Sequence, residues 1–470
     1  MGERGARPFA GRLERRTRTP VRRLPPEDRV RTFDEVTLPY SPADAQREAA
    51  RCIQCARPYC EEGCPARSPI RTWIRLVARG DLAGAYRALR VASNLPAICG
   101  RVCPVERQCE GACVMGRKGE PVAIGMLERF VADDAIARVL RAERRPSSGR
   151  RVAVIGSGPA GLTAGGDLAE LGHEVTIFEA LPVLGGVLAW GIPRFTLPRQ
   201  PLEAELARLA RMGVVLQPGT HVDVDSGLLA LFRAGFRAVV LCVGAGRARA
   251  LGIPGEGLPG AYEARDFLML ASLGRVWRAQ PVRLPASGAR VAVVGGGDTA
   301  LDVARTAVRL GAREVLVIYR RTEAEMPARA DERARAWEEG VVLRGSTVPL
   351  AVVGDVRGRV IALECLRTVP GPRDATGRPR PVPVPASRFR LPVDAVVSAT
   401  GFVPDPWIAR LGVPANADGT VRADADGRTS RAAIFAAGDV VRGPDRVVTA
   451  MADAKRAARA AHEYLARPLP

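Results

Sequence analysis

Eight of the ten cysteines in this 470-residue chain lie between residues 52 and 113. They occur in the order Cys52-x2-Cys55-x4-Cys60-x3-Cys64-Pro65 and then Cys99-x3-Cys103-Pro104-x4-Cys109-x3-Cys113. Structural zinc favours pairs of C-x2-C that each close a four-ligand site, whereas three closely spaced cysteines followed by Cys-Pro are typical of iron-sulfur ligation. The block therefore predicts iron-sulfur clusters, with structural zinc as the alternative.

In runs of this kind the fourth cysteine serves the other cluster. That rule groups Cys52, Cys55 and Cys60 with a distant cysteine and assigns Cys64 to the second run. Two [4Fe-4S] clusters need four ligands each. The eight cysteines supply all of these ligands if Cys99 is one of them, but Cys99 need not be a ligand. The two remaining cysteines stand alone in apolar runs and are predicted to be core residues.

A first dinucleotide site is predicted where Gly156, Gly158 and Gly161 form G-x-G-x-x-G between the apolar run RVAVI and a helix. The first glycine allows a tight turn, the second lets the backbone approach a pyrophosphate, and the third brings helix and strand together. N–H groups at the start of the helix then face the phosphate. Glu179 ends the next strand, 18 residues after Gly161, where a carboxylate accepts hydrogen bonds from a ribose diol.

A second unit of the same kind begins RVAVVGGGDTAL. Gly295 and Gly297 keep the glycine pattern, and Ala300 takes the third position, which the fingerprint permits. The end of its second strand carries Arg320-Arg321 in place of an acid. A carboxylate there would repel a 2′-phosphate, whereas paired guanidinium groups bind it with charge-assisted hydrogen bonds. The second unit therefore predicts a site for NADP rather than NAD.

The segments DAVVSATG (394–401) and IFAAGD (434–439) read as strands that end in glycine turns, followed by a helix from about Val448. We expect them to return the chain to the first domain, with Asp439 near the sugar alcohol of a flavin. Disulfide reductases built on two dinucleotide domains need a redox C-x-x-C near the flavin, and none occurs after residue 113. Electrons must therefore leave by another route.

The formal net charge is +20, yet of 70 basic residues two are lysines, which leaves 68 arginines spread over the whole chain. A solvated basic surface explains this better than nucleic-acid binding. Two alternative functions are disfavoured by the sequence. A DNA-repair or RNA-modifying iron-sulfur protein would not need the paired dinucleotide units, and a structural scaffold subunit would not need intact glycine turns. No uncharged run of 18 apolar residues and no signal peptide is present, so we predict a cytoplasmic protein without a membrane partner.

The predicted fold is α/β, with two Rossmann-like domains for FAD and NADPH behind an all-α domain that carries the clusters. The proposed boundaries are an extended basic arm (1–40), a helical double [4Fe-4S] domain (41–145), the first part of the FAD domain (151–254), the NADPH domain (255–390) and the second part of the FAD domain (391–470).

From about residue 31 onward, the chain resembles the small subunit of bacterial NADPH-dependent glutamate synthase and its stand-alone relatives. The group includes the large subunit of NADH-dependent ferredoxin:NADP oxidoreductase and the N-terminal half of dihydropyrimidine dehydrogenase. The motifs that carry the resemblance are CIQCARPYCEEGCP, CGRVCPVERQCEGAC, AIGMLERF, GSGPAGL, GGVLAWGIPRFTLP, GGGDTALD, YRRTEAEMP and FAAGDV, in the order of the family. Many relatives carry a basic residue where Thr196 stands in FTLP.

The resemblance implies the site residues. One [4Fe-4S] cluster would be held by Cys52, Cys55, Cys60 and Cys113, and the other by Cys64, Cys103, Cys109 and Glu128, with Cys99 the competitor of Glu128. FAD would bind at Gly156, Gly158, Ala160, Gly161, Glu179, Gly186, Gly438, Asp439 and Thr449. NADPH would bind at Gly295, Gly297, Asp298, Thr299, Arg320, Arg321, Arg329, Ala399 and Gly401.

The implied activity is hydride transfer from NADPH to FAD, followed by one-electron transfer through two [4Fe-4S] clusters to a protein partner. The preferred identity is a glutamate synthase small subunit. The alternatives are a subunit of an electron-bifurcating ferredoxin:NADP transhydrogenase, the electron-input part of a dihydropyrimidine dehydrogenase, or a ferredoxin:NADP reductase. The partner would be the glutamate synthase large subunit, a ferredoxin or a second flavoprotein subunit.

Overall fold

The computed structural model describes residues 16–138, 145–223, 227–274, 276, 283–374 and 377–467. They form a helical N-terminal part, two five-stranded parallel sheets, and a three-stranded antiparallel ribbon. The predicted α/β class, with two Rossmann-like units behind a helical domain, is confirmed. No helix in the described ranges is long and apolar enough to cross a membrane.

The helical part packs around the fully buried Trp73. Ser41 caps the second helix with a reciprocal capping box to Asp44, a standard way to satisfy the first N–H groups. The helices are α1 (Pro26–Arg29), α2 (Pro42–Ala50), α3 (Tyr59–Gly63), α4 (Ile70–Ala78), α5 (Leu82–Arg90), α6 (Pro96–Val102) and α7 (Ile124–Ala137), with 3-10 turns at Val105–Arg107 and Val114–Arg117.

The segment that we expected to be an extended basic arm lies against the rest of the chain wherever it is described, from residue 16 onward. The Thr19 N–H donates to buried Glu48 (2.7 Å), and the Tyr40 hydroxyl donates to the Thr19 carbonyl (2.6 Å). The Val36 N–H donates to the carbonyl of Phe195, far along the chain (3.1 Å). Residues 1–15 lie outside the described residues.

The first parallel sheet has the strand order β15-β4-β1-β2-β3. Its central strand β1 pairs in parallel with β2 and β4, and its inward side chains are almost completely buried. The elements are β1 (Arg151–Ile155), α8 (Pro159–Glu170), β2 (Glu174–Phe178), α9 (Val187–Trp190), α10 (Arg199–Arg211), β3 (Val215–Gln217), α11 (Gly227–Arg233), β4 (Phe236–Leu241), β5 (Arg247–Ala248) and, much later, β15 (Ile434–Ala436).

The second parallel sheet has the order β6-β13-β7-β8-β9. Its elements are β6 (Ala261–Glu263), α12 (Ala264–Leu273), β7 (Arg290–Val294), α13 (Asp298–Arg309), β8 (Glu314–Ile318), a 3-10 turn (Glu323–Glu325), α14 (Ala330–Glu338), β9 (Val342–Arg344) and β13 (Ala395–Ser398). We expected 394–401 to return the chain to the first domain. That was wrong for the strand, because β13 pairs with β7 and β6. The return follows Gly401, where β14 (Phe402–Val403) pairs with β5.

A feature that the sequence did not predict is an antiparallel sheet of β10 (Thr347–Gly354), β11 (Val360–Arg373) and β12 (Pro379–Pro392), which we call the β-ribbon. Its inner end shares an apolar core with β7 and β8, including the fully buried Cys365. After it the chain forms a 3-10 helix (Pro406–Leu411), α15 (Asp439–Arg442) and α16 (Val447–Ala466).

Polar contacts fix the helical part and the two parallel sheets relative to one another. The Phe195 ring lies under the guanidinium groups of Arg309 (3.8 Å) and Arg305 (4.7 Å) of α13, a cation–π arrangement. Both arginines also pair with the buried carboxylate of Glu339. On the other side, the Lys455 ammonium of α16 contacts Asn94 (2.8 Å) and Asp167 (3.1 Å).

Two histidines pair on the back of the first sheet, and this pair predicts acid sensitivity. His173 Nε2 lies 2.9 Å from His462 Nδ1, and His173 Nδ1 lies 2.9 Å from the Ser148 hydroxyl. Burial, His462 and Arg150 lower the pKa of His173 to about 4. A base whose pKa is lower in the folded than in the unfolded state contributes its full stabilisation at pH values above its unfolded pKa. For His173 this contribution declines as the pH falls from about 6.5 toward 4.

For His173 the expected loss at pH 5 is about 2 kcal/mol relative to neutral pH. His173→Gln should therefore show a smaller fall of the thermal midpoint between pH 7 and pH 5 than the wild type. Thermal unfolding followed by circular dichroism at both pH values measures the difference. An equal fall in both proteins would contradict the assignment.

Candidate functional site

The first predicted cluster set is brought together by elements distant in sequence. Cys52 follows α2, Cys60 lies in α3, and Cys113 begins the 3-10 turn Val114–Arg117. Together with Cys55 these side chains line one small cavity. Burial raises the pKa of Cys60 to about 12, with smaller contributions from Cys52 and Cys113. The four thiols therefore share one partly enclosed, apolar site.

Backbone geometry and buried charges shape that site. Gln54 has a left-handed φ of 55°, and its side-chain amide donates to Cys52 Sγ (3.3 Å). The carboxylate of Glu48 accepts from Arg51 Nη1 (2.6 Å) and from the Ala123 N–H (2.7 Å). These contacts tie the loop that begins at Cys52 to the segment that precedes α7.

The second predicted set, Cys64, Cys103, Cys109 and Glu128, lies between α3, α6 and α7. Cys103 and Cys109 are buried. Burial raises the pKa of Cys109, and the charges of Glu110, Cys103, Glu128 and Cys64 act in the same direction. Burial also raises the pKa of Glu128 to about 8, against the opposing effect of the Ser93 side chain. These four side chains are therefore close neighbours in an environment that opposes negative charge.

Cys99, the competing ligand, is 3% exposed and donates through Sγ to Met451 Sδ of α16 (3.4 Å). It lies beside Cys103 and shares an apolar core with the first sheet and α16. Both competitors for the eighth position therefore have a neighbour within the protein, Met451 for Cys99 and Ser93 for Glu128. Glu128 as the eighth ligand stays a prediction.

The residues present fit iron-sulfur clusters. No three His, Cys, Asp or Glu side chains in the described ranges converge on a single point that could hold one metal ion, whereas the ligands of a four-iron cluster bind four different irons. The Gln108 amide nitrogen, next to Cys109, is buried without a hydrogen-bond partner among the described residues. Orphaned donors of this kind require a partner, and cluster sulfurs accept such hydrogen bonds.

A cavity of about 370 Å³ opens at the carboxyl end of the first sheet, the edge where nucleotides bind in open α/β sheets. Among its lining residues are five of the predicted FAD residues: Gly156, Gly158, Glu179, Gly186 and Asp439. Burial raises the pKa of Asp439 to about 7. The other predicted FAD residues are not among the lining residues: Ala160, Gly161, Gly438 and Thr449.

The glycines of the first turn have different roles. A Cβ on Gly161 would meet the Gly156 carbonyl oxygen at 1.9 Å, and Gly156 itself has a φ of +99°. A Cβ on Gly158 would have nothing within 4 Å. Gly156 and Gly161 are thus required by the fold, whereas the space at Gly158 is free for a ligand.

Glu179 ends β2 as predicted and is 7% exposed. Its carboxylate accepts from the Ser157 N–H (3.0 Å), the Ser157 hydroxyl (2.6 Å) and the Leu181 N–H (2.9 Å). The sequence reasoning missed Ser157, which also accepts from the Gly185 N–H (2.8 Å). The sequence feature that could have identified Ser157 is its position between the first two glycines of GSGPAGL.

Other cavity residues missed by the sequence reasoning are aromatic or charged. Trp190 of α9 packs edge-on against Phe402 (6.5 Å between ring centres), and Arg265 of α12 lies 5.7 Å from the Trp190 ring. All three line the cavity. Trp190 belongs to the quoted motif GGVLAWGIP, but Arg265 and Phe402 had no signal, because they reach the cavity from the second sheet and from the return strand.

The second glycine turn has the same division of roles. A Cβ on Gly295 would meet the Ala399 carbonyl oxygen at 2.3 Å, whereas one on Gly297 would meet nothing within 4 Å. Gly401 has a φ of +107° and equally open space. Asp298 begins α13 and accepts from both the backbone N–H (2.9 Å) and Nε (3.3 Å) of Arg329. Thr299 follows Asp298 in the first turn of α13.

The two arginines predicted to grip a 2′-phosphate differ in the structure. Arg320 is exposed and forms no ion pair with a described residue. Arg321 is 5% exposed, and it pairs with Asp374 (2.8 Å) and donates to the Pro379 carbonyl (2.7 Å). Arg321 is therefore bound to the β-ribbon rather than directed to solvent.

Thr196, where relatives carry a basic residue, does not line the cavity at the first sheet. It lines a separate cavity of about 290 Å³ between the helical part, the N-terminal segment and α14, beside Cys103 and Arg329. Arg194 donates to the Ser272 carbonyl (2.6 Å). Neither residue lines the cavity at the first sheet.

Comparison with known proteins gives two family matches. Residues 29–139 match the family described as dihydropyrimidine dehydrogenase domain II, 4Fe-4S cluster. Residues 150–454 match the pyridine nucleotide-disulphide oxidoreductase family. The chain has the domain of that second family without a redox C-x-x-C after residue 113.

Similar solved structures share the fold of the two sheets. Mycobacterium tuberculosis FprA in complex with NADPH matches with a TM-score of 0.58 and 23% identity, over 68% of this chain and 85% of that one. Lactococcus lactis thioredoxin reductase matches with a TM-score of 0.51 and 21% identity, over 67% of this chain and 99% of that one.

Curated relatives match over nearly the whole chain. The Halomonas elongata glutamate synthase [NADPH] small chain is 38% identical over 94% of this chain and 95% of its own length. The Escherichia coli glutamate synthase [NADPH] small chain is 37% identical over 91% and 92%, and the putative oxidoreductase AegA of the same organism is 38% identical over 97% and 72%. The chain therefore belongs to the glutamate synthase small-chain family of oxidoreductases, in which a 4Fe-4S domain precedes two dinucleotide-binding domains of the FAD- and NADPH-dependent reductase fold.

Proposed function

We propose that this protein is an NADPH-dependent FAD and iron-sulfur oxidoreductase that delivers electrons to a protein partner, as a glutamate synthase small subunit does. When bound, NADPH and FAD would supply hydride transfer, and two [4Fe-4S] clusters would supply one-electron transfer. The observation that carries the proposal is the presence, in one chain, of two glycine turns with open space at Gly158 and Gly297 and eight candidate cluster ligands in two groups.

The proposed FAD site uses the cavity at the first sheet. Gly158 would admit the pyrophosphate, and the N–H groups at the start of α8 would face it. Glu179 would accept from the ribose through Oε1, which retains a lone pair beyond its contact with the Leu181 N–H, whereas Oε2 already accepts from both the N–H and the hydroxyl of Ser157. Asp439 would accept from the sugar alcohol. Gly186, whose Cβ would lie 2.8 Å from Gly158 Cα, closes the turn from the other side.

The proposed cluster sets differ in how they face the rest of the molecule. Cys99 and Cys103 belong to the apolar core that includes α16 and the first sheet. Ile53, between Cys52 and Cys55, is 47% exposed. We therefore place the group of Cys64, Cys103, Cys109 and Glu128 toward the flavin domain and the group that begins at Cys52 toward the partner.

The partner is proposed from the relatives. Glutamate synthase small chains match over more than nine-tenths of both lengths, which favours a large subunit that carries the terminal acceptor. A relative named NADP(+)-dependent formate dehydrogenase subunit beta, from Moorella thermoacetica, is 38% identical over 86% of this chain and 60% of its own length. This likeness keeps a different electron-transfer partner as the second candidate. Co-purification of the chain with each candidate subunit separates the two.

An anaerobic optical titration tests the proposal. The cofactor-loaded protein is titrated with NADPH and, in parallel, with NADH, while flavin absorbance near 450 nm is followed. We expect NADPH to bleach the flavin at a far lower concentration than NADH, because the acid that a 2′-phosphate would meet is absent at the end of β8. The absence of bleaching by either nucleotide would show that the chain does not take hydride.

A further inference from the structure

Arg320 and Arg321 follow the end of β8, and this end does not face open solvent. The β-ribbon and the residue before it cover this end of β8 through three contacts to the backbone. The Thr368 hydroxyl donates to the Arg320 carbonyl (2.9 Å), the Thr347 N–H donates to the Tyr319 carbonyl (3.0 Å), and the N–H of Ser346, which precedes β10, donates to the Arg321 carbonyl (2.9 Å). The ribbon is therefore held in a fixed position beside the predicted 2′-phosphate site.

Two donor groups of Arg321 take part in this attachment. Its Nη2 pairs with Asp374 at 2.8 Å, with side-chain exposures of 4% and 23%, and its Nε donates to the Pro379 carbonyl (2.7 Å). A buried guanidinium that is already paired loses much of its capacity to bind a further anion, because the ligand must compete with the existing carboxylate. Arg321 thus acts as an anchor for the ribbon.

A third arginine comes to the same place from the ribbon. Arg380 follows Pro379, the acceptor of Arg321, and lines the same narrow recess as Arg320 and Arg321. The recess encloses only about 10 Å³, so a phosphate would sit at its mouth rather than inside it. Arg320 and Arg380 are both exposed, and neither forms an ion pair with a described residue. Two arginines without an ion pair among the described residues therefore line one recess.

We propose that Arg380 of the β-ribbon binds the 2′-phosphate of NADPH together with Arg320, while Arg321 holds the ribbon in place for this contact. The inference rests on the proposed NADPH dependence and names the residues that would set it. Two guanidinium groups from different strands can bind one phosphate with charge-assisted hydrogen bonds. Specificity for NADPH over NADH is thereby shared between the dinucleotide fold and the ribbon inserted into it.

The test uses the full-length, FAD-loaded protein and two probes, 2′,5′-ADP and 5′-ADP, with affinities measured by calorimetry. Arg380→Ala should weaken 2′,5′-ADP binding by about 10- to 100-fold, the range expected for the loss of a hydrogen bond to a charged group. Binding of 5′-ADP, which has no 2′-phosphate, should be unchanged. Arg320→Ala should have the same selective effect.

Arg388→Ala is the matched control, because Arg388 lies on the same strand, its side chain is 72% exposed, and it forms an ion pair with Glu364 at 3.6 Å, away from Arg320 and Arg321. It should bind both probes as the wild type does. If Arg380→Ala also binds 2′,5′-ADP like the wild type, the inference is overturned. A wild type without preference for 2′,5′-ADP would instead overturn the proposed NADPH dependence, so the two failures are distinguishable.

Discussion

Cys60→Ser should purify with roughly half the iron and acid-labile sulfide of the wild type, because each proposed set of four ligands would hold one four-iron cluster. The four cysteines that include Cys60 line a single cavity, and no ligand of the second set is among its lining residues. Cys109→Ser should likewise lose roughly half, and the double variant nearly all. Iron and sulfide assays with electron paramagnetic resonance of the reduced protein measure the content.

Cys99→Ser is the matched control for this experiment. Cys99 is buried beside Cys103 and contacts Met451, so its replacement changes the neighbourhood without removing a ligand. It should retain the full iron content. Glu128→Ala should lose the second cluster or bind it weakly, and Glu128→Gln should shift that cluster's potential upward, because a neutral ligand adds less negative charge than a carboxylate.

One outcome would contradict the ligand sets, and a second would require another measurement. Loss of iron in Cys99→Ser, with retention in Glu128→Ala, would exchange the two residues as ligand and neighbour. An equal loss of all iron in each single variant would show that the clusters do not assemble independently, and iron content would then not separate the sets. The spectrum of the remaining cluster in each variant decides between these cases.

The features that could be predicted from the sequence are those whose chemistry depends on local spacing. Gly156, Gly158 and Glu179 belong to a strand, a turn and a second strand within about 30 residues, and each lies where the fingerprint requires. The two cysteine sets were predicted from the ferredoxin-like spacing and from the resemblance, and four of these cysteines, Cys52, Cys55, Cys60 and Cys113, line one cavity. In the glycine turn the local backbone positions the residues, whereas Cys113 joins Cys52 only through the packing of elements distant in sequence.

The features that could not be predicted depend on pairing between distant segments. The strand at 395–398 resembles an ordinary buried strand, and only its pairing with β7 shows which sheet it enters. Arg321 carries the correct chemistry for a phosphate, but Asp374 and Pro379, more than 50 residues later, occupy its donors. The β-ribbon had no signal of its own, since alternating prolines in its edge strand β12 argue against a regular central strand.

Gly158→Val should abolish FAD binding without unfolding the protein. A Cβ at this position has nothing within 4 Å, and the φ of −66° is ordinary for any residue, so the fold has no reason to resist the change. The added side chain would occupy the space where the backbone must approach a pyrophosphate. We expect FAD affinity to fall by more than about 100-fold, on the order of 3 kcal/mol. Flavin content after gel filtration and the thermal midpoint of the apoprotein measure the two effects separately.

Two matched variants serve as controls for this experiment. Gly161→Ala places a Cβ 1.9 Å from the Gly156 carbonyl oxygen, so the backbone must shift, and the apoprotein itself should lose about 1–3 kcal/mol of stability. Gly297→Val repeats the open-space change in the second turn, and it should keep FAD while NADPH no longer bleaches it. If Gly158→Val retained flavin and Gly297→Val lost it, the assignment of FAD to the first sheet and NADPH to the second would have to be reversed. The two open glycines thus test which nucleotide each sheet holds, independently of the arginines at the end of β8.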